Sequence, residues 1–224
     1  MARDYSPRER QKKQLERKQG RRASYDRILI VSEGSKTEPN YFREIRADFR
    51  LHTANVEVHP SDLGTAPHQV VQYAHDLFVY GDPHKNIQPK AFEKIFAVFD
   101  RDSHESYYQA LAKADSLNGK LKNDAKQFIS FKAIASIPCF ELWLLLHFAD
   151  IQAPLNRGEA LQRLRQHLPN YEKGASSTFA DTVHNISIAT ARAEQLAMRF
   201  NARTDPEPYT AIVELVQLLL RLRS

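Results

Sequence analysis

Three carboxylates stand out by where they fall in the chain. The apolar run Arg27 to Ser32 stops at Glu33-Gly34, and the run Ile95 to Phe99 stops at Asp100-Arg101-Asp102. If both runs are parallel strands of one sheet, their carboxyl ends share an edge, which is where open α/β sheets place ligands and chemistry. Glu33, Asp100 and Asp102 then converge. Two carboxylates about 4 Å apart repel by roughly 4 kcal/mol at an effective dielectric near 20, so such a cluster at neutral pH needs a divalent cation or a shared proton. Hard oxygen ligands select Mg2+ or Mn2+.

The elements that must position these groups can be read from pattern. Arg27 to Ser32 reads as a buried first strand. Ser35 to Phe42 opens a helix, with Ser35 or Thr37 as cap, Glu38 three residues after Ser35 as in a capping box, and Pro39 in the first turn. Residues 55–59 alternate like a second strand, and 66–80 carry Val70, Val71, Ala74, Leu77 and Phe78 at helical spacing. Lys94 to Phe99 is the third strand, parallel to the first by the strand-to-helix rhythm. Residues 107–121 read as an amphipathic helix and 127–136 as a further strand. Pro138 to Phe148 reads as a buried helix opened by proline, and 159–167, 182–200 and 208–222 as helices that could pack on the sheet as a small bundle. The expected division is a basic arm over 1–26, an α/β core over 27–150 and a helical extension over 151–224.

Composition permits this architecture. The chain has 224 residues, 42% hydrophobic and 26% charged, enough to bury a real core. One cysteine, Cys139, excludes a disulfide framework and a thiolate zinc cluster; beside Phe140 it reads as a core residue. With neither a signal-peptide pattern nor a long uncharged apolar run, the expected location is the cytoplasm, away from membranes. The formal charge of +5 is uneven: Met1 to Arg27 holds ten Lys/Arg against four acids, so that stretch carries +6 and the remainder −1. An arm of this kind could lie along a phosphate backbone, or be a solvated tail.

Other residues could serve the same edge. Glu141 and His147 sit in an otherwise apolar stretch; a buried carboxylate has to face a partner, a metal or solvent, while His147 reads as a cap or core histidine. Glu38 is a capping residue or an additional site residue. Lys36 could neutralise a phosphate beside Glu33, and Tyr171 and Lys173 either face substrate or lie in a solvated loop.

Glu33-Gly34 after one strand and Asp100-x-Asp102 after a later one resemble the Toprim signature of topoisomerases, primases and OLD-like nucleases. The longer pattern is Val31-Ser-Glu33-Gly-x-x-Thr37-Glu38-Pro39-x-Tyr41-Phe42, Asp100-Arg-Asp102, Pro138 to Phe148, Tyr171-Glu-Lys173 and Asp205-Pro-x-Pro-x-Thr210. Together these are similar to the RloB-like family. The resemblance implies a Toprim-like α/β sheet with largely parallel strands flanked by helices, in a protein of prokaryotic restriction and abortive-infection loci that often neighbours an ABC- or AAA-type ATPase.

On that basis the expected activity is Mg2+- or Mn2+-dependent hydrolysis of a phosphodiester in DNA or RNA. Asp100 and Asp102 would hold the metal, and Glu33 would act as general base or complete the shell. Nucleic acid and a neighbouring ATPase are the expected partners, and self-association is left open. Two rival classes remain: a non-catalytic or partner-dependent adaptor of a defence ATPase, and a haloacid-dehalogenase-like phosphatase using Asp100 as nucleophile and Asp102 as acid. The phosphatase motif wants threonine or valine where His104 stands, and it leaves Glu33 without a job.

Overall fold

The computed structural model describes residues 26–51, 55–101 and 105–222. Asp102 and the basic arm, apart from Asp26, lie outside the described residues. The order of elements is β1 (Ile28–Ser32), α1 (Thr37–Asp48), β2 (Val56–Pro60), α2 (Pro67–Tyr80), β3 (Lys94–Asp100), α3 (Tyr107–Leu117), β4 (Ser130–Ile137), α4 (Glu141–Leu145), α5 (Arg157–His167), α6 (Thr178–Thr182), α7 (Ile186–Ala197), β5 (Tyr209–Thr210) and α8 (Ile212–Arg221). Five strands form one sheet in the order β2-β1-β3-β4-β5. The first four are parallel and β5 pairs antiparallel with β4.

Strands buried on both faces read as continuous apolar runs, and all five residues of β1 are buried. The two-residue period of a strand then divides the core. Ile28, Ile30, Phe96, Val98 and Ile134 face one side, where they pack with Tyr41, Phe42 and Ile45 of α1 and with the C-terminal helices. Leu29, Val31, Ile95, Ala97 and Phe99 face the other, against α2 and α3. Residues beyond 150, among them Leu155, Leu164, Phe179, Leu196 and Leu215, share the first cluster with the sheet.

The chain therefore leaves β1 over one face through α1 and returns to β3 over the other through α2. That makes the gap between the carboxyl ends of β1 and β3 a topological switch point, the place where open sheets form a ligand crevice. Ser32 aligns with Val98, so β1 ends two residues before β3.

Several boundaries differ from the sequence reading. The proline-opened helix over 138–148 is a shorter α4 that starts at Glu141, because Cys139 and Phe140 form tight turns accepting from Leu142 and Trp143 N–H. The helix expected over 208–222 begins at Ile212. Before it, Tyr209 and Thr210 pair with the edge of β4, and the Thr210 and Ser136 hydroxyls hydrogen-bond at 2.9 Å. The segment read as a helix over 182–200 is α6, a 3-10 turn and then α7. No helix among the described residues is long and apolar enough to cross a membrane.

Candidate functional site

Glu33 follows β1 directly. Its N–H donates to the Val98 carbonyl at 2.9 Å, and its Oε2 accepts the Asp100 N–H at 2.9 Å. The Glu33 side chain thus takes the place of the backbone acceptor that β3 loses when β1 turns away. The first and third strands accordingly bring Glu33 and Asp100 together, as their order in the sequence implies.

Glu38 turns into the same crevice. The cap of α1 is Lys36, with no side-chain cap bond, so the expected capping box from Ser35 does not form. Glu38 is buried instead, and Gly34 makes room for it. A Cβ at Gly34 would stand 2.0 Å from Glu38 Oε2 and 2.9 Å from its Cδ.

Glu141, at the start of α4, is buried at the same edge and is satisfied by partners far along the chain. Lys173 Nζ lies 3.0 Å from Glu141 Oε1, and the Tyr171 hydroxyl donates to that oxygen over 3.4 Å. Tyr171 is buried, so the solvated-loop alternative fails for it. The loop carrying both residues is clamped onto α1: Asn40 Nδ2 donates to the Gly174 carbonyl at 3.1 Å, and Glu44 accepts the N–H groups of Ser177 and Phe179, each at 2.8 Å. Gly174 has φ +83°, and a Cβ there would come within 2.6 Å of Lys36 Cβ.

Arg157, which sequence reasoning did not single out, reaches Asp100 Oδ2 at 3.4 Å. A capping box holds it in place: Asn156 Oδ1 accepts the Glu159 N–H at 3.0 Å and Glu159 Oε2 accepts the Asn156 N–H at 2.9 Å, fixing the first turn of α5. The Asn156-x-x-Glu159 spacing marks that helix start in the sequence, but nothing there tells Arg157 from a surface arginine. Glu33, Lys36, Glu38, Glu141, Arg157 and Lys173 line one cleft of about 230 Å³.

The electrostatics of the cleft are lopsided. Burial first, then its neighbours Glu33 and Glu141, push the Glu38 carboxyl up to about 7. Asp100 rises well above the usual carboxylate range by burial and by Glu38, Glu33 and Glu141, which outweigh Arg157. Burial alone would raise Glu141 as well, but a hydrogen bond from the Cys139 thiol and the Lys173 ammonium hold it below its ordinary value. Cys139 is a buried core residue, as expected, and its thiol is pushed up by burial and by the charge of Glu141 and Asp100.

A hard divalent cation fits this donor set in chemistry: the carboxylates of Glu33, Glu38, Asp100 and Glu141 converge beside Lys36, Arg157 and Lys173, and Glu38 and Asp100 are driven toward protonation without further positive charge. Among the described residues no group of three His, Cys, Asp or Glu side chains is already drawn together as a metal shell. Asp102 lies outside them. His147 takes no part. It is buried with Nδ1 against the Trp143 carbonyl at 3.0 Å, and burial lowers its pKa to about 4.

A family model described as RloB-like protein matches residues 28–219. The chain belongs to the RloB-like family. No curated protein and no solved structure matches it. In this RloB-like chain the matched span runs from the first residue of β1 into α8 and takes in every residue that lines the cleft.

The contact between Gly34 and Glu38 gives a prediction. In Gly34→Ala the added methyl has to displace the Glu38 carboxylate toward solvent, so its carbon-13 NMR titration midpoint is expected to fall from about 7 toward 4.5. An unchanged midpoint would mean that the crevice yields elsewhere.

Proposed function

We propose that the protein is a Mg2+- or Mn2+-dependent nuclease that hydrolyses phosphodiesters, and that it acts as an effector in prokaryotic anti-phage defence. The observation that carries this reading is the excess of buried carboxylate at the switch point, where Asp100 and Glu38 are both pushed toward their protonated forms. The resemblance to Toprim proteins points the same way.

In this reading Asp100, Glu33 and Asp102 would hold the cation, which would supply Lewis-acid chemistry at the scissile phosphate. Arg157 and Lys173, on the wall of the same cleft, neutralise charge on the phosphate oxygens. Water attacks phosphorus and its proton passes to a carboxylate while the bond to the leaving oxygen breaks. Glu38 suits that role better than Glu33, because its carboxyl sits near 7 while one oxygen of Glu33 is committed to the Asp100 N–H. The phosphatase alternative would leave this Glu33 contact and the inward Glu38 unexplained. The basic arm adds phosphate affinity without choice of sequence, so restraint comes from a partner, an ABC- or AAA-type ATPase being the candidate. Location in the cytoplasm is part of the same reading.

The deciding experiment incubates the purified protein with DNA, bulk RNA and tRNA in Mg2+, in Mn2+ and in EDTA. Cleavage that requires metal is the expected result. No cleavage together with no divalent binding would favour the adaptor. Hydrolysis of a small phosphomonoester without polymer cleavage would favour the phosphatase.

A further inference from the structure

A second cavity, of about 520 Å³, adjoins the carboxylate cleft and shares Arg157 with it. Its other walls include Pro138, Pro154, Leu155, Pro206 and Arg101. The volume is that of a small-molecule site, half of the lining residues are apolar with the acids Glu159 and Asp205 among the rest, and its contents would lie one residue from Asp100 along the chain. Arg101 is held beside it: Nη2 pairs with Asp205 Oδ2 at 3.2 Å, and the guanidinium sits 4.9 and 5.3 Å from the ring centres of Tyr107 and Tyr108. The cavity thus offers flat proline and leucine surfaces and a fixed guanidinium, bordered by the arginine that contacts Asp100.

We propose that this cavity seats a nucleobase of the substrate strand, next to the phosphate that meets Arg157. The inference rests on the phosphodiester reading above and narrows it to substrates with an unpaired base. A polymer whose phosphate meets Arg157 on the carboxylate side has its adjoining nucleoside on the other side, where apolar walls and a guanidinium take the π-face of any base. A base locked in a duplex stack cannot enter without being extruded. Single strands and loops are therefore the favoured class, with little dependence on sequence.

The test compares three fluorescein-labelled ligands in EDTA, where no cleavage occurs: a ten-nucleotide single strand, a strand of equal length and charge made of abasic residues, and the corresponding duplex. The wild-type protein is expected to bind the single strand about tenfold more tightly than the abasic strand. Two variants locate the effect, Leu155→Trp, which fills the cavity, and Pro154→Trp at its exposed rim, which carries the test if the first does not melt cooperatively. Either folded variant is expected to bind the normal strand as weakly as the abasic one. Equal wild-type affinity for the two strands overturns the proposal, as does a preference that survives in the folded variants. Cleavage is assayed separately in Mg2+: a base preference lost in the variants, with no cleavage of any ligand, would sink the nuclease reading and leave the base site standing.

Discussion

Asp100→Asn is expected to reduce the proposed metal-dependent cleavage by at least roughly a hundredfold, to background. Asp100 is the described carboxylate most committed to the crevice: it ends the central strand, donates its N–H to Glu33, is almost fully buried and meets Arg157. The amide keeps the shape and removes the charge. Stability in EDTA is therefore expected to hold or rise, since repulsion from Glu38, Glu33 and Glu141 is relieved. Cleavage rate and melting temperature check the two halves, and wild-type cleavage by the variant would remove Asp100 from the mechanism. Asp102→Asn is expected to behave likewise in activity.

The metal-free protein is expected to lose stability as pH rises from about 4.5 to about 7, the window set by Glu38. Between those values the unfolded chain has released the Glu38 proton while the folded chain keeps it. The folded state binds more protons, so stability falls with rising pH, and the part due to Glu38 levels off above 7. A rise from 4.5 to about 7 corresponds to about 3 kcal/mol, or a melting temperature lower by roughly 6–12 °C for a domain of this size. Asp100 contributes with the same sign. Glu141 has the opposite sign: its contribution is present above its ordinary value and fades in acid. Melting curves in EDTA across the window measure the slope. Glu38→Gln is expected to flatten it, and Mg2+ to restore stability at its upper end. A flat wild-type profile in EDTA would show that the carboxylates are better solvated than their burial implies.

The parts of the site that lie next to strands were legible before any coordinates. Apolar runs ending in Glu33 and Asp100 carry their own geometry, because parallel strands buried on both faces leave little choice of direction or edge. What the sequence hid are long-range pairings. Glu141 in an apolar run signalled a buried partner without saying which, and the answer, Lys173 with Tyr171, lies some thirty residues on in a loop whose composition resembles any surface turn. Arg157 is one of several basic residues of α5, and only the packing of that helix aims it at Asp100. Ser35-x-x-Glu38 satisfies a capping pattern and a site pattern equally; the missing side chain at Gly34 leaves room for Glu38 to turn into the crevice. A strand of two residues such as β5 is too short to alternate, so its helix-like neighbours absorbed it.

The loop clamped over α1 has a bearing on how the protein is made. Synthesis runs from the amino end, so Glu33, Glu38, Asp100 and Glu141 all emerge before Arg157, Tyr171 and Lys173. A nascent chain that has not reached the clamp lacks the side chains that balance Glu141 and Asp100 and the lysine and arginine proposed to grip phosphate. Translation order alone thereby delays assembly of the site until most of the chain has been synthesised.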